Sequence, residues 1–120
     1  MHRRLLPLAA LLLATPLSAQ DAPAPELSLE QRMLLRCSAT FAMVAHGQET
    51  GNAEALQYPP LAESGREFFV QASARVMDET GLSIEELTVV LQREAQDLVD
   101  KQQVEAMMPV CLPLLPQSGL

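Results

Sequence analysis

The 120-residue chain predicts an all-α fold, a small bundle of three or four helices clamped by one disulfide between Cys37 and Cys111. Three observations carry that expectation. Apolar residues recur at three- and four-residue spacing in successive segments, and no stretch alternates apolar and polar residues for long enough to make a strand. Those segments are bounded by capping and breaking residues. The two cysteines, the whole complement of the chain, lie near the two ends of the helical region.

At the amino terminus His2, Arg3 and Arg4 form a basic head, Leu5 to Leu17 an apolar run, and Ser18-Ala19 a small-residue exit. That order is the pattern of a cleavable secretory signal, expected over 1–19 with cleavage near Ala19. The apolar run is 13 residues long, short of the roughly 20 that a membrane-spanning helix needs, so no stable membrane insertion is expected after cleavage. The polar and aromatic surroundings of a twin-arginine signal are missing around Arg3-Arg4. A flexible tether follows over 20–26, where Pro23 and Pro25 stand among alanines; the helical domain is expected over 27–116 and a frayed tail over 117–120.

Within the domain, Ser28 with Gln31 makes a capping box, and Met33, Leu34, Cys37, Phe41, Val44 and Ala45 fall on one face, which predicts a helix to about His46 with Gly47 as its stop. From Gly47 to Pro60 the pairs Gly51-Asn52 and Pro59-Pro60 predict a loop, with one turn of helix over 53–57. A second helix begins near Pro60, buries Leu61, Phe68, Phe69, Ala72 and Val76, and ends at Thr80-Gly81. The third has the clearest start: Ser83 caps, Glu86 answers it, and Leu82 can staple onto Leu87. Ile84, Leu87, Leu91, Ala95 and Leu98 form its apolar face, with Glu85, Arg93, Glu94, Asp97 and Lys101 turned outward. Beyond it Pro109 and Pro113 limit a fourth helix to about 101–108 and place Cys111 on a kinked turn.

In an exported chain an even pair of cysteines reads first as a structural disulfide. Closing so long a loop stabilises by about 4 kcal/mol in the chain-entropy description, a large share for a domain with three Phe, one Tyr and no Trp. A redox or metal-binding thiol pair would show C-x-x-C spacing, which is missing.

Charge and motif content exclude several functions. Two of the 8 basic residues lie in the leader, which leaves 6 against 15 acidic. The six are scattered singly, so nucleic acid is not an expected partner. His46 is the one histidine beyond the leader and sits at a helix end, where a cation is favourable without any catalytic role. Met43 can share its face, as soft copper ligands do, but one pair is not a metal site, and the remaining methionines suit a core. No serine has a nucleophile context, the carboxylates are explained by solvation and helix dipoles, and no glycine loop cradles phosphate. No catalytic residue, metal or cofactor is therefore expected. Val89, Val90 and Val99 fall off the main stripe of the third helix, which makes them either a second apolar side available for interaction or part of a wider core face.

Arg36-Cys37-Ser38-Ala39 with Phe41, the helix end Val76-Met77-Asp78-Glu79-Thr80-Gly81, and Met108-Pro109 followed by Cys111-Leu112-Pro113 resemble the small two-cysteine exported helical proteins of unknown function from alphaproteobacteria. The resemblance covers most of the domain and implies no activity. In general plan the chain is also similar to the HdeA-type acid-stress chaperones of the periplasm, although its cysteines lie further apart. The expectation is a periplasmic or secreted, non-enzymatic binding or interaction module whose partner is an envelope protein or a small apolar ligand. An acid- or envelope-stress chaperone is the alternative, and an enzyme depending on His46 a distant third.

Overall fold

The computed structural model describes residues 26–117; the expected leader 1–19, most of the expected tether 20–26 and residues 118–120 lie outside it. Four α-helices follow one another, α1 (Leu29–Glu49), α2 (Ala62–Thr80), α3 (Ile84–Asp100) and α4 (Val104–Cys111), with short 3-10 helices at Ala55–Gln57 and Leu112–Gln117. The described residues contain no strand, so the chain is a small all-α bundle. None of its helices is long and apolar enough to cross a membrane.

α1 is the central element. It packs against each of the other helices, whereas α2 and α3 make few contacts with one another. Its start follows from local chemistry, because the Ser28 hydroxyl accepts from the Gln31 N–H and the Gln31 side chain accepts from the Ser28 N–H. Around it Leu35, Phe41, Leu61, Phe68, Val76 and Met108 are fully buried. The rings of Phe41 and Phe68 meet edge to face with centroids 5.2 Å apart.

Glycine does not stop α1 where the sequence suggests. The helix continues past Gly47 to Glu49 because Gly47 supplies room rather than a break: a Cβ there would lie 2.8 Å from the Ala55 Cβ. The left-handed residue is Gly51, φ +79°. Gln48 then organises the loop, its Nε2 donating to the carbonyls of Ala55, Tyr58 and Pro59 while its Oε1 accepts from the Leu61 N–H.

α2 begins at Ala62, two residues beyond Pro60, and ends on Gly81 at φ +73°, whose N–H donates to the Met77 carbonyl. Leu61, Phe68, Ala72 and Val76 are buried as expected, but Phe69 is 39% exposed. Adjacent residues on a helix differ by about 100° in direction, so Phe68 and Phe69 cannot both face α1. The Ser83–Glu86 capping box forms at the start of α3, and Leu82 and Leu87 are both buried in the core. Ile84 is a correction: at 68% exposure it does not join the core face.

The fourth helix is also displaced from its expected bounds. Lys101 caps α3, Gln102 turns through a left-handed conformation at φ 51°, and α4 then runs through Pro109 to Cys111. Proline removes only the hydrogen bond to the carbonyl of Glu105, an exposed residue that water can serve. Met108 and Cys111, three residues apart on one face, are fully buried. That burial holds the turn helical across the proline. Cys111 is bonded to Cys37, with their Cα atoms 5.3 Å apart and a sequence separation of 74. The disulfide thus pins α4 to the middle of α1.

Candidate functional site

Because α2 and α3 diverge on α1, one strip of α1 is left uncovered between them. Its floor is built of small side chains, Ser38, Ala39 and Ala42, with Met43 and His46 at one end. Phe69 of α2 forms one wall; Leu91 and Ala95 of α3, with Thr88 and Gln92 above them, form the other. The resulting open groove has a volume of about 410 Å³ and an almost wholly apolar lining. Large side chains on α1 would have filled it. The exposed side chain of Phe69, displaced from the core by its neighbour Phe68, lines the groove together with Ser38 and Ala42.

Two recesses adjoin the groove. One, of about 280 Å³, lies between α1 and α2, shares Ser38, Ala42 and Phe69 with it, and is bordered by Leu61, Gly65 and Arg66. The other, of about 340 Å³, continues from Met43 and His46 to Tyr58, Val99 and Val104, with Glu54 and Glu105 at its edge. The hydrogen-bonded approach of Glu54, then its charge, raises the pKa of the Glu105 carboxyl.

The valines of α3 do not make one surface. Val99 is 56% exposed and lines the second recess, Val89 is 44% exposed, and Val90 packs partly buried against the core. Nine residues are two and a half helical turns, so Val90 and Val99 point about 180° apart. The apolar ridge that α3 does present runs Ile84, Thr88, Leu91, Ala95 and Val99, each three or four residues from the last.

The opposite edge of α3 carries an ion cluster. Glu94, expected outward, is buried at 8% exposure, and Asp97 joins it on Arg36 of α1. The Arg36 Nη1 donates to Glu94 Oε2 at 2.8 Å and to Asp97 Oδ2 at 2.9 Å, while Nη2 donates to Gln103 Oε1 at 2.7 Å. Lys101 reaches the second oxygen of Asp97 at 2.8 Å. Hydrogen bonds from Lys101 and Arg36 hold the Asp97 carboxyl below the usual range; burial works against the charge on Arg36, but its bonds to both carboxylates leave its pKa raised. The cluster fixes α3 and the turn into α4 against α1, which is what keeps the α3 wall of the groove in place.

His46 is exposed at the last turn of α1, and no side chain among the described residues hydrogen-bonds to its ring. Met43 and His46 share the groove as their spacing suggests, yet no three histidine, cysteine, aspartate or glutamate side chains among the described residues come together as metal ligands do. Both cysteines are in the disulfide. The groove itself was missed in the sequence because alanines at 39, 42 and 45 carry no pattern that separates a floor from ordinary helix surface. The signal that could have found it is the second ridge of α3, beside the core positions Leu87 and Leu98. Comparison with family models, with curated proteins and with solved structures finds no match to this chain.

Proposed function

We propose that this chain is an exported, non-enzymatic binding protein of the cell envelope whose working surface is the groove between α2 and α3. The observation that carries the reading is that groove: a concave apolar strip of about 410 Å³, floored by small residues of α1 and walled by Phe69 and Leu91. Ligand pockets are concave and mostly apolar and span about 300–1,000 Å³. A helix face or an apolar molecule laid there would bury surface that the bundle alone leaves wet. The disulfide is compatible with an oxidising compartment, and the leader pattern supplies the route to it. A photo-reactive side chain at Gln92 on the groove wall should give envelope adducts in cells, whereas the same group at exposed Ala74 on α2 should give few; equal yields from the two positions would remove the groove from the account.

A second reading, a chaperone that loosens in acid, is favoured by the ion cluster. Asp97 has a lowered folded pKa, so its contribution is present at neutral pH and is lost as pH falls through that lowered value, below about 3.8. Loss of the cluster would free α3 and widen the groove. Suppression of a client's aggregation at pH 2 to 3 but not at pH 7 separates this reading from the first, and activity at neither pH dismisses it.

A further inference from the structure

Of the six basic residues in the described chain, Arg32, Arg36, Arg75 and Lys101 are tied into ion pairs. Arg66 makes no ion pair among the described residues, and Glu63, three residues before it on α2, does not come within salt-bridge distance. Arg93 also makes no ion pair among the described residues, but it borders none of the recesses described above. Arg66 is therefore a free cation at the edge of an apolar recess. That recess adjoins the groove, because both are lined by Ser38, Ala42 and Phe69.

We infer that the joined recess and groove bind a single-chain anionic amphiphile, with its head on Arg66 and its alkyl chain laid across Ala42 toward Leu91 and Ala95. This rests on the groove reading above and names its ligand class. The chemistry is complementary at both ends. A guanidinium pairs with a carboxylate or a phosphate in a fork of parallel hydrogen bonds, and the remainder of the path offers apolar carbon. From α2 across α1 to α3 the path spans two helix-packing distances of about 8–10 Å each, which suits a medium to long alkyl chain. The rest of the molecule argues the other way in charge: 15 acidic residues against 6 basic beyond the leader set up a field that favours cations. A preference for an anionic head is thus a specific consequence of Arg66 and not a general property of the surface. The head can be the carboxylate of a fatty acid or the phosphate of a single-chain phospholipid, which share this chemistry.

The test is calorimetric titration of the oxidised protein with dodecanoate, dodecyl phosphate, dodecanol and dodecyltrimethylammonium, each below its micelle concentration. The expected result is one-to-one binding of at least one anion, tenfold or more tighter than the cation. Arg66→Gln should lose that tenfold preference for the anion over the cation, and Ala42→Trp, which fills the path from an exposed position, should lose binding of all the probes. Whichever anion binds tighter names the source of the head group. Equal binding of all four heads, or anion binding that survives Arg66→Gln, overturns the inference and leaves the groove reading standing. Absence of binding by every alkyl probe overturns the inference as well, and crosslinking from Gln92 then decides separately whether the groove holds a protein.

Discussion

Arg36 shows how one side chain decides a contact that the pattern of apolar residues does not. Its guanidinium is 14% exposed and the carboxylate of Glu94 10%, so each has lost most of its water and depends on the other. Removing one member of such a pair leaves a charge with poor solvation, and Arg36→Met is expected to cost about 3 kcal/mol, at the low end for breaking a buried pair. Arg36→Met combined with Glu94→Leu should recover most of that loss, because two apolar groups need no compensation. Urea unfolding of the wild type, the two single variants and the double variant checks both statements, and additive losses in the double variant would show that the pair is not coupled. Gly47 is a second case. Alanine favours helix over glycine by about 1 kcal/mol, but a Cβ at this position would meet that of Ala55 at 2.8 Å. Overpacking of that kind costs about 1–3 kcal/mol, so Gly47→Ala should lower the melting temperature despite the gain in propensity.

Helices were legible from the sequence where a local chemical signal marked them. Both capping boxes form as read, and the ends at Ser28, Ser83 and Gly81 follow from single side chains or from the lack of one. The faults lie where tertiary contact overrides the local signal. Gly47 reads as a break but serves close packing, and Pro109 reads as a stop but is carried by the burial of Met108 and Cys111. Glu94 reads as surface because nothing local says that Arg36, 58 residues away in sequence, will meet it. Contact between the 50–61 loop and α4 gives a prediction at this scale. The Glu105 pKa is raised by Glu54, so the pair opposes folding when both are ionised, and relief comes as pH falls through the raised value. Stability should therefore rise on acidification through the ordinary glutamate range before Asp97 begins to lose its partners at lower pH. Glu105→Gln should abolish the rise and leave the later fall, as thermal melts across pH 3 to 7 would show; an unchanged rise would assign it elsewhere.

For the whole molecule, one central helix bears three others that scarcely touch each other, and this explains both the need for the disulfide and the existence of the groove. Since α4 has eight residues and one proline, it depends on its ties to α1, the Cys37–Cys111 bond and the burial of Met108. Reduction should cost about 4 kcal/mol in the chain-entropy description and release α4 first, seen as early hydrogen exchange over 104–111 while α1 and α2 stay protected. Uniform loss of protection would mean that the bond holds the whole bundle and not chiefly its last helix. The fold class could be read from apolar spacing, and the cysteine pairing from an even pair of cysteines near the two ends of the helical region. The groove was less legible, since the second ridge of α3 hints at an exposed apolar side but only the way α2 and α3 seat on α1, with few contacts between them, opens a strip there. Whether the groove carries an occupant in the cell is decided by native mass spectrometry of the protein isolated gently from the envelope fraction, in the wild type and in Ala42→Trp. A co-isolated occupant is expected on the wild type and missing from the variant, with the helical circular-dichroism signal the same in both. An occupant retained by Ala42→Trp, or none on the wild type, would contradict a working role for the groove.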